Sequence, residues 1–392
     1  MSQVVSTAER ARDAAGARDV ICVLYSRSWA AAVVEGQSFS EARLAAALPD
    51  DPRVGRLLLV NPHRSVAAKV WRSLRPRYPE PPPHERVYVH EPLRARRADP
   101  VDPRRTTARY EASLRRAARR LRLERPAVIT ANPFLAGFGA FDWAGPVTFY
   151  AWDDWTSDFK RPHLVPAFNE SFAEVRAKRR RVCAITEAVL ERIGPTGPHA
   201  VIPNGIDPVE WRDLGEPPNW FAGLPRPRFL YVGSLDNRVD VKQLAEVAAA
   251  YPDASVVLVG PLQDEAHFVA VREQPNVVIH AGLAPRQEVV GLIGAAEACL
   301  LPHVGNRLTE AMSPLKLYEY LAGGRPVAAV DLPPVTAVDG RVAIAPVGGE
   351  LAPAVAEALA LGPAPEAERL EFLAQHAWSR RFAELVTIAL AE

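Results

Sequence analysis

The stretch SPLKLYEYLAGGRPV at residues 313–327 carries the strongest fold signal in the sequence. Ser313 is a favourable N-cap residue, and Pro314 suits the first position of a helix. The two glycines after LYEYLA end that helix, and the apolar run PVAAV at 326–330 predicts a strand. A helix with so defined a start and stop, leading directly into a buried strand, is typical of α/β folds.

The start of this predicted helix has the chemistry of an anion site, because its unpaired amides and the positive end of its dipole attract a negative ligand. Ser313, Pro314 and Leu315 form the turn, and Lys316 follows in the first turn, where a cation is unfavourable unless an anion is bound. Glu319 lies on nearly the same face. We predict that Lys316 holds a diphosphate and that Glu319 accepts both hydroxyls of a ribose. The alternative is a solvated Lys–Glu pair worth about 0.3 kcal/mol.

Other strand ends in the second half carry residues suited to the same ligand. RFLYVG at 228–233 ends in Gly233, whose missing Cβ would let the backbone approach a phosphate, and Ser234 follows it. Arg238 supplies a second cation in the next loop. His280 ends another strand and would meet a nucleotide base through backbone groups. An ordinary strand–glycine turn is the alternative interpretation at Gly233.

Short apolar runs alternate with helical patterns along the whole chain, which predicts an α/β protein with parallel sheets covered on both faces. The predicted strands are 20–25, 56–60, 86–90, 127–130, 147–151, 182–186 and 200–203 in the first half, and 228–233, 255–260, 276–280, 298–302 and 326–330 in the second. A segment rich in Pro and Gly separates the halves. We expect a first domain at 1–212, a linker at 213–227, a second domain at 228–372, and a helix at 373–392, interrupted near His376, that packs on the first domain.

Length and composition limit the class of protein. The chain has 392 residues, enough for two domains, with 48% hydrophobic and 24% charged residues, the balance of a soluble globular protein. A net charge of +1 argues against nucleic-acid binding through bulk electrostatics. No apolar run suits a membrane span, and the N-terminal segment does not resemble a signal peptide. Cys22, Cys183 and Cys299 lie far apart in apolar runs, which predicts buried thiols, no metal site and a reducing cytoplasm.

Four segments together resemble family 4 retaining glycosyltransferases of the GT-B fold, and most closely the bacterial branch associated with teichuronic-acid and exopolysaccharide synthesis. They are YVGSLDNRVD (231–240), SPLKLYEYLAGGRPV (313–327), IPNGID (202–207) and AWSRRFAEL (377–385). The resemblance implies two facing Rossmann-like domains with parallel sheets and a C-terminal helix that crosses back to the first domain. It also implies transfer of a hexose-type sugar, with retained configuration, from a UDP-, GDP- or dTDP-linked donor to a glycan, a lipid-linked intermediate or a small molecule.

The resemblance further implies roles for individual residues. Arg238 and Lys316 match the cations that hold the donor diphosphate, and Glu319 matches the glutamate that binds the ribose. Members of this family need neither a metal nor another cofactor. The first glutamate of the family's usual pair would fall on Ala311, so the adjacent Glu310 becomes the candidate for contact with the donor sugar and for catalysis.

Polar and aromatic residues at strand ends in the first half are candidates for the acceptor side. In AWDDWTSD, which follows a predicted strand, we expect Asp153 to be catalytic and Trp152 and Asp154 to form a sugar-binding wall. A helix cap is the structural alternative for Asp153, and a metal site is a lesser alternative for the DDxxxD pattern. The loop after the first strand reads SRSW and lacks the family's glycine-rich sequence. The remaining candidates are His90 for catalysis, and His63 and Trp29 for the acceptor side.

Arginines cluster at 94–122 and again at 176–181. The structural interpretation is a solvated helix face, and the functional one is contact with an anionic membrane or a lipid-diphosphate acceptor. The second interpretation predicts a cytoplasmic protein that is peripheral at the inner face of the membrane.

Several rival functions stay open at this point. A sugar-nucleotide epimerase, a pseudo-glycosyltransferase that couples cyclitols, and a non-catalytic nucleotide-sugar-binding partner would share most of these motifs. A nicotinamide dehydrogenase is disfavoured because no G-x-G-x-x-G follows the first predicted strand.

Overall fold

A computed structural model describes residues 16–34, 39–67, 70, 84–94, 102–157, 161–338 and 340–392. The chain has the predicted α/β class and divides into two compact units. Unit 1 consists of two segments, the chain up to Pro203 and the C-terminal Phe382–Glu392. Unit 2 is Asn204–Arg381. The division therefore falls nine residues before the predicted end of the first domain, and the Pro- and Gly-rich segment predicted as a linker belongs to unit 2.

Unit 1 is built on a parallel sheet of seven strands in the order β4-β2-β1-β6-β7-β8-β9. Its central strands are fully buried; Leu57 and Leu59 of β2, for example, have no exposed surface. A separate pair, β3 and β5, forms a small second sheet. The strands are β1 (Arg18–Val23), β2 (Val54–Val60), β3 (Arg64–Ser65), β4 (Val87–His90), β5 (Leu93–Arg94), β6 (Ala127–Thr130), β7 (Val147–Ala151), β8 (Arg181–Ala184) and β9 (His199–Val201).

Capping residues in the sequence mark where helices of unit 1 start and end. In α3 the carboxylate of Asp102 accepts the N–H of Arg105 at 3.0 Å, and Pro103 follows as the first helical residue. In α6 Gly194 adopts the left-handed conformation, φ 59°, that ends the helix. The helices are α1 (Trp29–Val34), α2 (Ser40–Ala47), α3 (Pro103–Arg120), α4 (Pro133–Phe138), α5 (Val165–Ala177) and α6 (Glu187–Ile193).

Unit 2 is built on a parallel sheet of six strands in the order β12-β11-β10-β13-β14-β15. The first strand of the unit thus lies at the centre, with the second and third on one side and the remaining three on the other, which is the Rossmann order. Unit 1 has the same order with one strand added. The strands are β10 (Arg228–Val232), β11 (Ser255–Gly260), β12 (Val277–Ala281), β13 (Ala298–Leu301), β14 (Val327–Val330) and β15 (Val342–Ala345).

Helices connect the strands of unit 2 and cover both faces of its sheet. They are α7 (Asn219–Ala222), α8 (Val241–Ala250), α9 (Val269–Arg272), α10 (Arg286–Ala295), α11 (Arg307–Ala311), α12 (Leu315–Ala322), α13 (Pro333–Thr336), α14 (Ala352–Leu361) and α15 (Glu366–Gln375). In α8 the Asp240 carboxylate caps the helix, as its position predicts, by accepting the N–H of Lys242 at 3.0 Å.

The last helix, α16 (Trp378–Leu390), follows the predicted interruption at His376. Its residues from Phe382 onward belong to unit 1. There Leu385 is fully buried, the Arg53 guanidinium donates to the Thr387 hydroxyl at 2.8 Å, and Arg18 donates to the Leu390 carbonyl at 3.1 Å. The end of the chain is therefore part of the core of unit 1.

The predicted burial of the thiols is confirmed, because Cys22, Cys183 and Cys299 are all buried, and all three are free cysteines. Within the described ranges, no helix is both long and apolar enough to cross a membrane, and no cluster of His, Cys, Asp or Glu suits a metal ion. The N-terminal segment considered above as a signal peptide lies outside the described residues.

Candidate active site

Gly233 directly follows β10 at the centre of the unit 2 sheet, where a Rossmann strand order places ligands. Its φ of 145° is strained for any residue with a side chain, and a Cβ there would lie 2.7 Å from Lys316 Nζ. Gly260, at the end of the neighbouring β11, approaches so closely that a Cβ would lie 2.0 Å from the Gly233 carbonyl oxygen. Ser234 accepts the Tyr231 hydroxyl through its carbonyl at 3.1 Å. The absence of side chains at both glycines makes room for Lys316.

Lys316 stands in the first turn of α12 as predicted, and its side chain is buried against the end of β10. Its Nζ donates to the Tyr231 hydroxyl at 2.7 Å and lies 4.4 Å from the centre of that ring. His303 Nε2 lies 3.5 Å away on the other side. Burial and the nearby Arg238 lower the pKa of Lys316 to about 7. Burial and the same two cations lower the pKa of His303 well below its ordinary value, so His303 is neutral and able to accept.

Arg238, the second predicted cation, is held by Asp236. Its Nε and Nη2 donate to the two carboxylate oxygens at 2.9 and 2.7 Å. Burial opposes ionisation of Asp236, but the Arg238 guanidinium outweighs it and keeps the pKa of that carboxyl below its usual value. Arg238 Nη1 reaches the Met312 sulfur at 3.5 Å, just before the anion-site helix. The pair with Asp236 fixes the guanidinium beside the start of α12.

The start of α12 differs from the prediction by one residue. Pro314 is the N-cap and Leu315 the first helical residue, and no side chain caps the helix. Ser313 is 6% exposed and instead holds Asn204 of the IPNGID segment: its hydroxyl accepts the Asn204 N–H at 3.3 Å and its carbonyl accepts Nδ2 at 2.8 Å. Across the described ranges, no acceptor meets the backbone N–H of Leu315 or Lys316. The helix thus keeps its anion-binding amides although Ser313 is not its cap.

Glu319 is 9% exposed, but it does not pair with Lys316. Its Oε1 accepts Arg286 Nη1 at 2.5 Å, while Arg286 Nε donates to Glu210 Oε2 at 2.9 Å. The guanidinium also lies 5.2 Å from the centre of the Trp211 ring. The solvated Lys–Glu pair considered above is therefore absent. Arg286 and Glu210 were not predicted, since they lie 33 and 76 residues from their partners and no local pattern joins them.

His280 lies in β12 and is exposed, with its ring stacked on Trp220 at 4.7 Å and an interplanar angle of 4°. The sequence predicted that backbone groups at this strand end would contact a nucleotide base. The N–H of Gly282 in fact donates to the Gly260 carbonyl at 3.1 Å, so that amide is already engaged. A flat aromatic surface is the additional feature that the sequence did not reveal.

Glu310 lies in α11 and is exposed, while Ala311 is buried. The preceding residue, Thr309, forms a capping box with Asn306. The Thr309 hydroxyl donates to the Val304 carbonyl at 2.6 Å, and the residue is 1% exposed. Glu310 is therefore the acidic residue of this loop that solvent reaches.

In unit 1, Asp154 is buried and held by hydrogen bonds, and its place in a sugar-binding wall stays a prediction. Its Oδ1 accepts the Thr156 hydroxyl at 2.6 Å, its Oδ2 accepts Ser157 and Arg192, and the residue is 3% exposed. Asp153 accepts the N–H of Asp154 at 2.8 Å, whereas Asp154 is the residue that caps the turn at Trp155, by accepting the Thr156 N–H at 3.1 Å. The third carboxylate of the DDxxxD pattern lies outside the described residues.

A cavity of about 340 Å³ opens at the carboxyl edge of the unit 1 sheet. The loops after β1, β2, β6 and β7 line it, and β1 and β6 are the two strands at which the strand order reverses. His63 is part of its wall and stacks on Tyr110 at 4.7 Å. Of the candidate residues predicted in the first half, His63 is thus placed in a cavity.

The other three aromatic or imidazole candidates of unit 1 lie elsewhere. Trp29 begins α1 and donates its N–H to Asn61 Oδ1 at 2.7 Å. Trp152 packs edge-on against Trp155, with ring centres 5.2 Å apart. His90 Nε2 lies 2.9 Å from the Ser113 hydroxyl, and burial lowers its pKa. None of the three is among the described residues that line the cavity.

Glu41 explains why the loop after β1 can lack glycine. The carboxylate is 2% exposed and accepts the N–H groups of Tyr25 and Ser26 at 2.8 and 2.9 Å and the Ser26 hydroxyl at 2.6 Å. Burial raises its pKa, and these hydrogen bonds oppose the rise. The loop amides are therefore occupied by an anion of the chain itself. Glu41 was missed because its position in α2 carries no motif.

The two arginine clusters differ in the structure. In the 176–181 cluster, Arg176, Arg180 and Arg181 donate to backbone carbonyls at 2.7–2.8 Å, so this cluster stabilises unit 1 and does not form a solvated face. The described part of the first cluster lies mainly on α3, which buries Tyr110 and Leu114 on its opposite side. The exposed arginines of α3 are Arg104, which pairs with Glu170 and Glu174, and Arg105, Arg109, Arg116, Arg119 and Arg120.

Comparisons with known proteins agree with this fold. The family model of glycosyl transferases group 1 matches residues 226–361. Over 105 residues the chain is 31% identical to the putative teichuronic acid biosynthesis glycosyltransferase TuaH of Bacillus subtilis, a match that spans 26% of this chain and 26% of that protein. The curated relative is thus matched over about a quarter of its length.

Solved structures match nearly the whole chain. Sucrose-phosphate synthase from Thermosynechococcus elongatus has a TM-score of 0.67 at 15% identity, over 94% of this chain and 98% of that one. A trehalose-6-phosphate structure from E. coli, bound with UDP-2-fluoro glucose, has a TM-score of 0.65 at 11% identity, over 96% and 99%. An α,α-trehalose-phosphate synthase from Burkholderia xenovorans, in complex with glucose-6-phosphate, has a TM-score of 0.65 at 13% identity, over 95% and 100%. The chain therefore has the GT-B fold, and the match to the glycosyl transferases group 1 model falls within unit 2.

Proposed function

We propose that this protein is a retaining glycosyltransferase that moves a sugar from a nucleotide-diphosphate sugar to an acceptor hydroxyl. One observation carries the proposal: buried Lys316, the Arg238 guanidinium and the open amides of α12 surround the end of β10, where Gly233 leaves space. Positive charge fixed in a poorly hydrated place is suited to a leaving diphosphate. The group 1 family match of the same unit supports this assignment.

In the proposed reaction the bond between the anomeric carbon and the diphosphate oxygen breaks, and the acceptor oxygen bonds to that carbon on the same face. Lys316, Arg238 and the α12 amides stabilise the negative charge that forms on the leaving diphosphate. These cations occupy the place of a metal counter-ion, so we propose that transfer needs none. The acceptor proton passes to a base, for which Asp153 remains our candidate in unit 1.

The remaining donor contacts follow from the same unit. We propose that Glu319, oriented by Arg286, accepts the ribose hydroxyls and that the nucleobase lies against the stacked rings of His280 and Trp220. Exposed Glu310 would meet the donor sugar. The nucleotide sugar named with the E. coli structure supports a UDP-linked donor, with GDP and dTDP as the alternatives.

A thermal-shift series tests the donor site, because a ligand that binds only the native state raises the melting temperature. We expect one of UDP, GDP, ADP and dTDP to raise it, and Lys316→Met or Glu319→Ala to abolish the rise. Lys242→Met removes an exposed lysine of the same unit and serves as the control. Normal turnover in both site variants would overturn the proposal.

The same preparations separate the rival functions. Donor consumption that needs no acceptor would favour an epimerase. Nucleotide binding without any product would favour a binding partner, and a product without a sugar acceptor would favour a pseudo-glycosyltransferase.

We also propose that the exposed arginine face of α3, defined by Arg105, Arg109, Arg116, Arg119 and Arg120, contacts anionic membrane. Each cation near such a surface contributes about 1 kcal/mol. Sedimentation with phosphatidylglycerol vesicles is expected to fall sharply in the double variant Arg109→Gln, Arg116→Gln, and to persist in Arg212→Gln, which removes an exposed arginine of unit 2. Equal sedimentation with neutral and anionic vesicles would contradict this contact.

A further inference from the structure

We infer that the unit 1 cavity binds an acceptor sugar that carries a phosphate group. The inference rests on the proposed transferase function and adds the chemical class of its acceptor. The cavity opens beside Ser26 after β1 and Asn132 after β6, the two strands between which the sheet reverses its order. Ligands of open parallel sheets bind at such a point.

The size of the cavity limits the ligand to one sugar unit. Its volume is about 340 Å³, near the lower end of the roughly 300–1,000 Å³ of small-molecule sites. A single phosphorylated sugar suits that space, whereas an oligosaccharide would extend beyond it.

One wall of the cavity is aromatic and held in place by further rings. Trp155 is 5% exposed and meets Tyr25 edge-on, with ring centres 4.7 Å apart. Phe134, on the opposite loop, stacks on Phe168 at 4.7 Å. Because each of the two rings packs against a further ring, the wall has a fixed shape before any ligand binds.

The charge of the lining is positive. Arg94 and Arg161 both line the cavity, and no described lining residue is acidic. Arg161 lies over the Trp155 ring with its guanidinium carbon 5.9 Å from the ring centre, so it joins the aromatic wall to the cationic side. The nearby carboxylate of Glu41 is committed to the amides of the β1 loop. Guanidinium groups match phosphate oxygens in paired hydrogen bonds, so a phosphate is the anion that this lining fits.

Calorimetry at saturating UDP tests the inference with glucose 6-phosphate, glucose and inorganic phosphate as probes. We expect glucose 6-phosphate to bind at least about tenfold more tightly than glucose, and Arg94→Gln or Arg161→Gln to weaken it by about tenfold. Arg212→Gln, which removes an exposed arginine of unit 2, is the matched control and leaves its affinity unchanged. In turnover, the two lining variants raise the acceptor KM with little change in kcat.

A second arm uses a polyprenyl phosphate in phosphatidylcholine vesicles, which separates a lipid-linked phosphate from a soluble one. Arginine-dependent binding in either arm supports the inference. Equal affinity for glucose and glucose 6-phosphate overturns it, as does unchanged binding in the double variant Arg94→Gln, Arg161→Gln. Failure of the proposed function appears differently, as loss of nucleotide binding and turnover while glucose 6-phosphate still binds.

Discussion

Lys316 shows how the surroundings of one side chain define a ligand. Its ammonium donates to the Tyr231 hydroxyl, and neutral His303 lies next to it, so neither neighbour cancels its charge. A buried cation without a fully opposing anion is costly. The sequence already places the Lys316 cation at the positive end of a helix dipole, which is unfavourable. Burial in the folded protein makes the charged form of Lys316 less favourable still. A bound diphosphate would reduce this cost.

The pKa of Lys316, lowered to about 7, predicts a pH-dependent affinity for nucleoside diphosphate. Below that pH the free protein is already charged at Lys316 and binding takes up no proton. Above it Lys316 is neutral and must take up a proton to pair with the ligand, so Kd rises by up to about tenfold per pH unit. The other titratable or charged groups that face Lys316 are Tyr231, His303, Arg238, Asp236 and Glu319.

Calorimetry in buffers of different ionisation enthalpy would count these protons from about pH 6 to about pH 9. Lys316→Met is the control, because it is expected to bind weakly and without this slope. An unchanged slope in that variant would assign the titration to another group.

Replacing Gly233 with alanine separates steric exclusion from backbone strain. In Gly233→Ala the new methyl group would lie 2.7 Å from Lys316 Nζ and displace it, whereas Gly282, at φ 127°, has no atom within 4 Å of a new Cβ. We expect both variants to lose about 1–3 kcal/mol of unfolding free energy from the backbone conformation. Gly233→Ala alone should lose nucleotide affinity. Equal affinities in the two variants would show that Gly233 does not open the site.

The side-chain partners of the candidate site could not be predicted from the sequence. Lys316 and Glu319 were recognised because helical spacing places them on one face. Their actual partners, Tyr231 and Arg286, lie 85 and 33 residues away, and only the folded sheet brings them together. Local spacing therefore identifies which residues form a site, and tertiary packing decides what each one contacts.

At the scale of single elements, sequence patterns located most strands and helices because buried parallel strands are continuous apolar runs. Strand β15, Val342–Ala345, was missed, because two of its four residues are alanines, which favour helices over strands. Ser313 was assigned as a cap because its residue type favours that role, but Asn204 engages its hydroxyl first. Long-range hydrogen bonds override local preference where both compete for one group.

Helix α16 allows a test of how an element contributes to stability. Leu385 is fully buried in unit 1, so Leu385→Ala is expected to lower the unfolding free energy by about 2–5 kcal/mol. Leu370, in the neighbouring helix α15, is 48% exposed, and its replacement should change stability by less than about 0.5 kcal/mol. Denaturant titration measures both. Similar losses in the two variants would show that the end of the chain does not stabilise unit 1.

For the whole molecule, two separate cores predict two unfolding transitions. A nucleoside diphosphate at 100 times its Kd should stabilise the unit that binds it by about 2.7 kcal/mol, and we assign that unit as Asn204–Arg381. Scanning calorimetry should show the ligand moving one transition and Leu385→Ala moving the other. A single transition moved by both changes would mean that the units unfold together.

The predictability of the molecule differs between its two halves. Motifs in unit 2 identified the anion site because backbone geometry and helix starts have residue signatures. In unit 1 the candidates were aromatic and acidic residues chosen for their types, and several serve packing; Asp154, for example, is held by Arg192. The cavity there is formed by loops from four strands, and its arginines carry no motif. Sites assembled from distant loops become visible only once strand order is known.

The three buried cysteines allow the opening of each sheet to be measured separately by thiol labelling. Cys22 and Cys183 lie in strands of unit 1, and Cys299 lies in a strand of unit 2. Burial raises the pKa of all three thiols, to about 12 for Cys183, so a thiol reagent reacts only after the surrounding sheet has opened. Mass spectrometry of a timed labelling reaction would therefore report two opening rates from one unmodified chain, and added nucleotide should slow the labelling of Cys299 while leaving the other two unchanged.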